Sequence, residues 1–297
     1  TLRRGAFTWQ QMVAEFIDRD TAKDTLSRFP SRFGAMQRIE YSPHPAVTMG
    51  VFESYIAIDT SLIRGYTERP MLNPGGHLLQ ALRITPRAPS ARLLGAYGSL
   101  RLLRGMGVYG QFVHQLRLKE RPAAAGWMAG VRWTDILLLG LSGQVEYARL
   151  DPFLYTHATS GTSYRNQRGM LGHPAGPNSS DVSFRLAYQP HPDWQLTVLG
   201  AHTIRGRNMD LISWGGNAAV GVLEKRVDVV QSVQFLDGIR QREQLLEAHV
   251  TYTWLPNLST GIAVRHERLT DALAPDYTRL LPMVLLQWGM PYQSVRW

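Results

Sequence analysis

Apolar and polar positions alternate along much of the chain. In 182–189, Val182, Phe184, Leu186 and Tyr188 alternate with Ser183, Arg185, Ala187 and Gln189; in 144–148, Val145 and Tyr147 alternate with Gln144, Glu146 and Ala148. A period of two places successive side chains on opposite faces, so each run predicts a strand with one apolar and one polar face. About thirty residues rich in Gly, Ser, Asn and His separate the two runs. Soluble hairpins are usually closed by about 2–5 residues. Outer-membrane barrels instead combine long loops at one end with short turns at the other.

The same pattern predicts strands over 32–42, 46–58, 91–103, 107–118, 127–133, 137–147, 194–204, 246–254 and 258–268, and a last one carrying Val284, Leu286 and Trp288. Residues 6–17 fit either a helix face (Trp9, Met12, Val13, Phe16, Ile17) or a strand (Phe7, Trp9, Val13). Short turns are expected at 43–45, 104–107, 134–136, 190–193 and 255–257. Long loops are expected at 18–31, 59–90, 119–126, 151–181, 206–241 and 269–278, with an added hairpin within 227–235. In the 59–90 loop Asn73-Pro74 is a helix-start signal, and His77 to Ile84 reads as a short helix. With 76–87 not a strand, short and long connections alternate. The expectation is an all-β chain: a transmembrane antiparallel β-barrel of about twelve strands, with long extracellular loops and short periplasmic turns. Residues 1–297 are read as one barrel domain, or as the C-terminal part of a larger barrel.

Aromatics sharpen this picture. Tyr41, Tyr188, Trp194, Tyr252, Trp254, Trp288 and Tyr292 sit toward strand ends, mostly beside short turns, as a periplasmic aromatic girdle would. The opposite faces would line the lumen with Arg38, Glu40, Arg117, Arg132, Glu146, Arg185, Glu247, Arg265 and Glu267. That mixed charge suits either a self-paired, plugged interior or a wet pore.

Composition changes the picture little. No run of about eighteen apolar residues occurs, which argues against a transmembrane helix and leaves a barrel untouched. The absence of cysteine removes disulfides and thiolate metal sites. The formal charge is +9, and only Lys23, Lys119 and Lys225 are lysines. The arginines are scattered singly rather than clustered, so nucleic acid is not the expected partner. Anionic lipid headgroups and acidic sugars are.

Candidate chemistry is sparse. No H-E-x-x-H, P-loop or G-x-S-x-G motif is present. Gly105, Gly107 and Gly110 match G-x-G-x-x-G, but an alternating strand follows where a dinucleotide site needs a helix. His157 and His173 flank a loop with Ser160, Ser163, Ser179 and Asp181, from which a Ser/His/Asp hydrolase or a two-histidine metal site is conceivable without any local signature. The expectation is no catalytic residue, no metal and no cofactor. Tyr155, Tyr164 and Arg165 in the same loop suit sugar stacking and acidic-group pairing.

Several segments together resemble the Wzi-type capsule assembly family: VYGQF at 108–112, VEYARLDPFLYTH at 145–157 and, most specifically, SYRNQRGMLGHPAGPNSSD at 163–181. Asn73-Pro74 followed by His77, and RIEYSPHP at 38–45, are also similar. The resemblance covers roughly 30 to 290. It implies an outer-membrane β-barrel, loops at the cell surface, that retains or organises capsular polysaccharide without catalysis. Two departures stand out. Family barrels are longer at the N-terminus, so this chain is expected to begin partway through, and VYGQF continues as His114-Gln115 where the family often carries an acidic residue. The expected polysaccharide contacts are Tyr155, His157, Tyr164, Arg165, Arg168 and His173. Expected partners are outer-membrane lipid and lipopolysaccharide, capsular or exopolysaccharide and, as an open question, an envelope protein complex. A passive porin and a barrel enzyme acting on lipid or polysaccharide remain alternatives.

Overall fold

Alternation in the sequence becomes one antiparallel sheet of thirteen strands in the computed structural model, with each long strand paired to its neighbour in chain order. The structure describes residues 1–16, 32–57, 91–115, 124–157, 163–166, 169–220, 228–230 and 232–288. The strands are β1 (Leu2–Arg4), β2 (Phe7–Phe16), β3 (Arg32–His44), β4 (Val47–Ala57), β5 (Ala91–Leu103), β6 (Met106–Gln115), β7 (Ala124–Thr134) and β8 (Leu141–Leu150). Two short ones, β9 (Arg165–Asn166) and β10 (Gly169–Met170), pair with each other, and then come β11 (Ser179–His191) and β12 (Trp194–Arg207). β13 (Ile212–Ser213) and β14 (Asp228–Val229) form a separate parallel pair, and β15 (Ile239–Leu255), β16 (Leu258–Asp271) and β17 (Ala274–Trp288) complete the sheet. No helix occurs among the described residues; the expected helix at 77–84 lies outside them.

Register divides the sheet into two faces. Tyr147, Val182, His202 and Gln244 are successive cross-strand partners on one face, and Glu146, Ser183 and Ala201 are partners on the other. The first, outer face is apolar and exposed: Val51, Phe112, Leu246, Ile262, Val264 and Val284 all project from it. The second, inner face carries every described member of the predicted polar row, including Arg38, Glu40, Arg132, Glu146, Arg185, Glu247 and Arg265. Arg117 lies outside the described residues.

Aromatic rows border the apolar band. Near the short turns Phe7 stacks on Tyr41 with ring centroids 4.6 Å apart, Trp194 meets Tyr252 at 4.9 Å, and Tyr252 meets Trp254 edge-on at 4.7 Å. Trp288, paired with Leu258, shares this row; Tyr292 lies outside the described residues. At the opposite border Trp127 and Tyr147 pack at 5.1 Å, a second row that the sequence reading did not assign. Between Leu246 and Trp254 the outer face of β15 runs eight residues, about 27 Å along the strand at ~3.4 Å per residue. With the ~35–45° tilt usual in barrels that projects to about 19–22 Å, somewhat under the ~25 Å apolar band of such proteins.

Several expectations need correction. The sheet has thirteen strands where about twelve were expected, the added one being Leu2–Arg4, which pairs with Phe7–Trp9. Residues 7–16, which the sequence left open between helix and strand, are strand: Trp9 pairs with Ile39, and Met12 with Met36. The turn placed at 134–136 is a loop over 135–140, closed by Asp135 Oδ1 accepting from Gly140 N at 2.7 Å. It leaves Leu137 and Leu139 more than three-quarters exposed instead of on a strand. The loop expected at 269–278 is absent. β16 and β17 run through it to a tight turn at 272–273, where Asp271 Oδ1 accepts from Leu273 N at 2.9 Å, an Asx turn. Polarity at Thr270, Asp271 and Asp276 suggested a loop, whereas strands that outrun an apolar band become polar while still paired. The expected 227–235 hairpin is instead the parallel β13–β14 pair, two residues long.

Strand connections alternate between two ends. Those at 5–6, 45–46, 104–105, 135–140, 192–193 and 256–257 lie at one end; the 272–273 turn lies at the other, at the strand ends that the remaining connections join. Gly105 shows why a tight turn needs its glycine: φ is +86°, and a Cβ there would come within 2.4 Å of Thr134 O. Among the described residues no pairing joins β17 to β1, so ring closure is not seen.

Candidate functional site

The described parts of 151–178 fold onto the inner face of β4–β8 rather than standing away from the sheet. Leu154 is fully buried, and Tyr155 and Tyr164 are nearly so. They form one apolar cluster with Ile56, Leu93, Val113 and Leu150. The wall matches them chemically. At this level the inner face turns apolar, with Met36, Phe52, Ile56 and Leu93, and at Gly126 the wall has no Cβ where Leu154 and Leu150 pack. A remaining cavity of about 320 Å³ is lined by Met12, Phe16, Met36, Ile56, Tyr155 and Tyr164, among others.

Polar contacts fix this segment in place. Gln115, an inner-face side chain that is itself buried, accepts from Tyr155 N at 2.6 Å through Oε1 and donates to Thr156 O through Nε2. It thereby imitates one rung of a β-ladder. Tyr164 N donates to Tyr155 O (2.9 Å), Leu171 N to Tyr164 O (3.1 Å), and His173 N to the Tyr155 hydroxyl (3.3 Å). Tyr155 holds a φ of +70°, a left-handed conformation that its packing and hydrogen bonds must sustain.

Asn178 ties the segment to two others. It is completely buried, with φ +54°. Its Nδ2 donates to Gly206 O (3.0 Å), Asp237 O (2.9 Å) and Trp214 O (3.4 Å), and its Oδ1 accepts from Leu236 N (2.7 Å). One side chain therefore joins 151–178 to 206–217 and 232–238. Gly206 leaves room for it, since a Cβ there would lie 2.4 Å from Asn178 Nδ2.

The predicted site residues separate accordingly. Tyr155, His157 and Tyr164 are brought together, but facing inward. Burial pushes the His157 imidazole down to about 4, so it is neutral at neutral pH, and burial raises the Tyr155 and Tyr164 phenols above their ordinary range. Arg165 and His173 are half-buried. His173 is also lowered by burial, opposed by the nearby Asp181 and Glu146 carboxylates. Arg168 lies outside the described residues. The hydroxyls considered for nucleophilic chemistry serve the backbone: Ser163 Oγ accepts from His157 N (3.1 Å) and Ser179 Oγ donates to Gly176 O (2.6 Å). Asp181 accepts from Thr203 Oγ1 at 2.5 Å, and Ser160 lies outside the described residues. Among the described residues no three His, Asp or Glu side chains converge on a metal position. Sequence reasoning missed Gln115 and Asn178. The signal available was a Gln ending an inner-face row, and an Asn directly before a strand.

Elsewhere the inner face is charged. Glu247 accepts from Arg265 at 2.6 Å, Arg265 lies 3.6 Å from Glu267, and Glu267 accepts from Arg279 at 2.6 Å. Below this ladder, toward the short turns, a cavity of about 920 Å³ is lined by Arg185, Gln195, His249, Thr251, Ser259 and Gln287, among others.

Comparison with known proteins adds a fold. No family model and no curated protein sequence matches the chain. Among solved structures it is similar to Wzi, an outer-membrane protein involved in group 1 capsule assembly in Escherichia coli and described as a carbohydrate-binding β-barrel, at 12% identity and a TM-score of 0.56. That match covers 91% of this chain and 53% of Wzi, so the chain spans about half of its length. Pseudomonas aeruginosa OprD matches at 8% identity and a TM-score of 0.42 over 96% of this chain and 68% of that one. The Wzi match shows the fold, that of an outer-membrane β-barrel.

Proposed function

We propose that the chain is part of a Wzi-like outer-membrane barrel that anchors or organises surface polysaccharide and performs no catalysis. The observation that carries this reading is the inner face covered by 151–178, on a sheet that shares its fold with a carbohydrate-binding barrel. A segment clamped by Gln115 and Asn178 suits a scaffold better than a conduit. The apolar band and its two aromatic rows support insertion in a bilayer. The long connections, at the far end from the short turns, would face the cell exterior. Tyr155, His157 and Tyr164 would then shape the scaffold, while Arg165, Arg168 and His173 are the members of the expected set left to meet an acidic polymer.

Deleting the protein from cells should lower cell-bound polysaccharide and raise the released fraction, and the full-length chain should restore it. Equal retention with and without the protein rejects the reading. A second reading, a solute channel, is favoured by the charged inner face of β15–β17. Conductance in planar bilayers separates the two: the scaffold predicts almost none, and steady ohmic current favours the channel.

A further inference from the structure

On the second half of the sheet the carboxylates are confined to one face while arginines occur on both: Arg185, Arg205, Arg207 and Arg265 face inward. Every acidic residue on β8, β11, β12, β15 and β16 (Glu146, Asp181, Glu243, Glu247, Glu267 and Asp271) faces inward by register. The outer face of the same strands bears Arg149, Arg240, Arg242 and Arg268, all exposed, and no carboxylate. On β17 the one outward acid is Asp276, 3.4 Å from Arg268. The inner arginines have those carboxylates as partners, Arg205 with Glu243, Arg207 with Asp271 and Arg265 with Glu247, whereas the outer arginines of β8–β16 share their face with no acid of these strands.

Position matters as much as sign. The arginines begin where the apolar band ends, at the border away from the short turns. Arg149 follows Tyr147 of the second aromatic row, Arg242 and Arg240 lie beyond Leu246, and Arg268 lies beyond Val264 and His266. Arg240 and Arg242 are two residues apart on one face, and Arg268 sits diagonally across from Arg242, whose partner is Thr270. Arg149 is three strands from Arg242, about 14 Å at ~4.8 Å per strand. Its guanidinium lies 4.0 Å from the centre of the Phe235 ring, which holds it at the border. Directly beneath are open apolar side chains, Val182, Leu246 and Val264, each more than two-fifths exposed.

We infer that this border of β8–β16 is a docking site for a phosphorylated, multiply acylated glycolipid headgroup, with phosphates on Arg240, Arg242 and Arg268 and acyl chains along the apolar band below. Guanidinium forks suit phosphate oxygens, and the apolar strip continues where the lipid's chains must go. The site rests on the membrane-barrel reading above.

The test uses the full chain refolded in detergent micelles, titrated with diphosphorylated lipid A and, separately, with the same lipid dephosphorylated, binding being read by native mass spectrometry. Wild type should hold the diphosphorylated lipid at least tenfold more tightly. R240Q/R242Q/R268Q should lose that preference while keeping its β-sheet circular dichroism. R185Q, on the inner face, controls for loss of charge alone and should keep it. Inorganic phosphate at millimolar level should compete poorly, because it lacks the acyl contact; efficient competition overturns the lipid assignment in favour of a plain anion site. Equal binding of the two lipids, or an unaffected triple variant, overturns the site itself. A chain that does not partition into bilayers overturns the barrel reading, and this site with it.

Discussion

Two stretches of the same inner face solve the same problem in opposite ways. Along β4–β8 the wall is apolar and glycine-notched, and it is covered by Leu154, Tyr155 and Tyr164 from the chain's own 151–178 segment. Along β15–β17 the wall is lined by the alternating ladder Glu247–Arg265–Glu267–Arg279, with no apolar cover among the described residues. An apolar wall would be costly to leave wet, whereas the ladder's partly exposed arginines keep water while they pair with the more covered Glu247 and Glu267, and such pairs contribute little stability. The first stretch thus sets the mechanical character of the molecule, and the second sets its electrostatics.

If the covered wall is the stabilising one, Leu154→Ala should have the largest effect. Removing a fully buried leucine side chain leaves a cavity worth about 2–5 kcal/mol. Urea unfolding in detergent should show the loss, together with faster hydrogen exchange across 153–157. An effect below about 1 kcal/mol would mean that 151–178 does not pack as described. Asn178→Ala comes next. It strips four hydrogen bonds from a buried position and leaves the carbonyls of Gly206 and Asp237 without that donor, for a loss of about 2–3 kcal/mol. Its signature is simultaneous proteolytic sensitivity in 206–217 and 232–238, which a local defect confined to one segment would not produce.

The contrast also explains what the sequence revealed. Strands and their facing were readable because period-two alternation is local: Val182 to Tyr188 and Glu247 to Trp254 reveal their faces without any partner. The cover was not readable. Tyr155 and Tyr164 sit among Gly, Ser and Asn, and an exposed sugar-stacking aromatic and a buried one look identical until the opposing wall is known. That wall comes from Leu93 and Val113, more than forty residues away in sequence. Extended polar ends such as 269–278 were missed because their pairing comes from the neighbouring strand, not from hydrophobicity. The leucines at 137–139 were misassigned for the converse reason: their apolarity suggested a strand where Asp135 closes a loop.

Acid should loosen the covered wall before the charged one. Burial holds the folded-state His157 near 4, below its ordinary 6.5. A depressed histidine contributes stability that is fully present above the unfolded value and is lost as pH falls from about 6.5 to about 4, where the unfolded chain binds a proton that the folded chain does not. His173, lowered in the same direction, adds to this window. Hydrogen exchange of 153–157 should therefore accelerate between pH 6.5 and 4, and His157→Gln should flatten that dependence. An unchanged profile in the variant would assign the acid response to the carboxylates instead.

The smallest effect should come from the ladder. In Glu247→Gln, Arg265 keeps Glu267 at 3.6 Å and its half-exposed guanidinium keeps water, so the cost should be about 1 kcal/mol or less. Raising salt from 0.05 to 0.5 M should shrink the difference between variant and wild type, because the Debye length then falls to only a few ångströms. The Leu154→Ala deficit should not shrink with salt. If Glu247→Gln instead costs as much as Leu154→Ala and ignores salt, the ladder is effectively dry. Something outside the described residues would then have to cover it, and the two stretches of wall would no longer differ in kind.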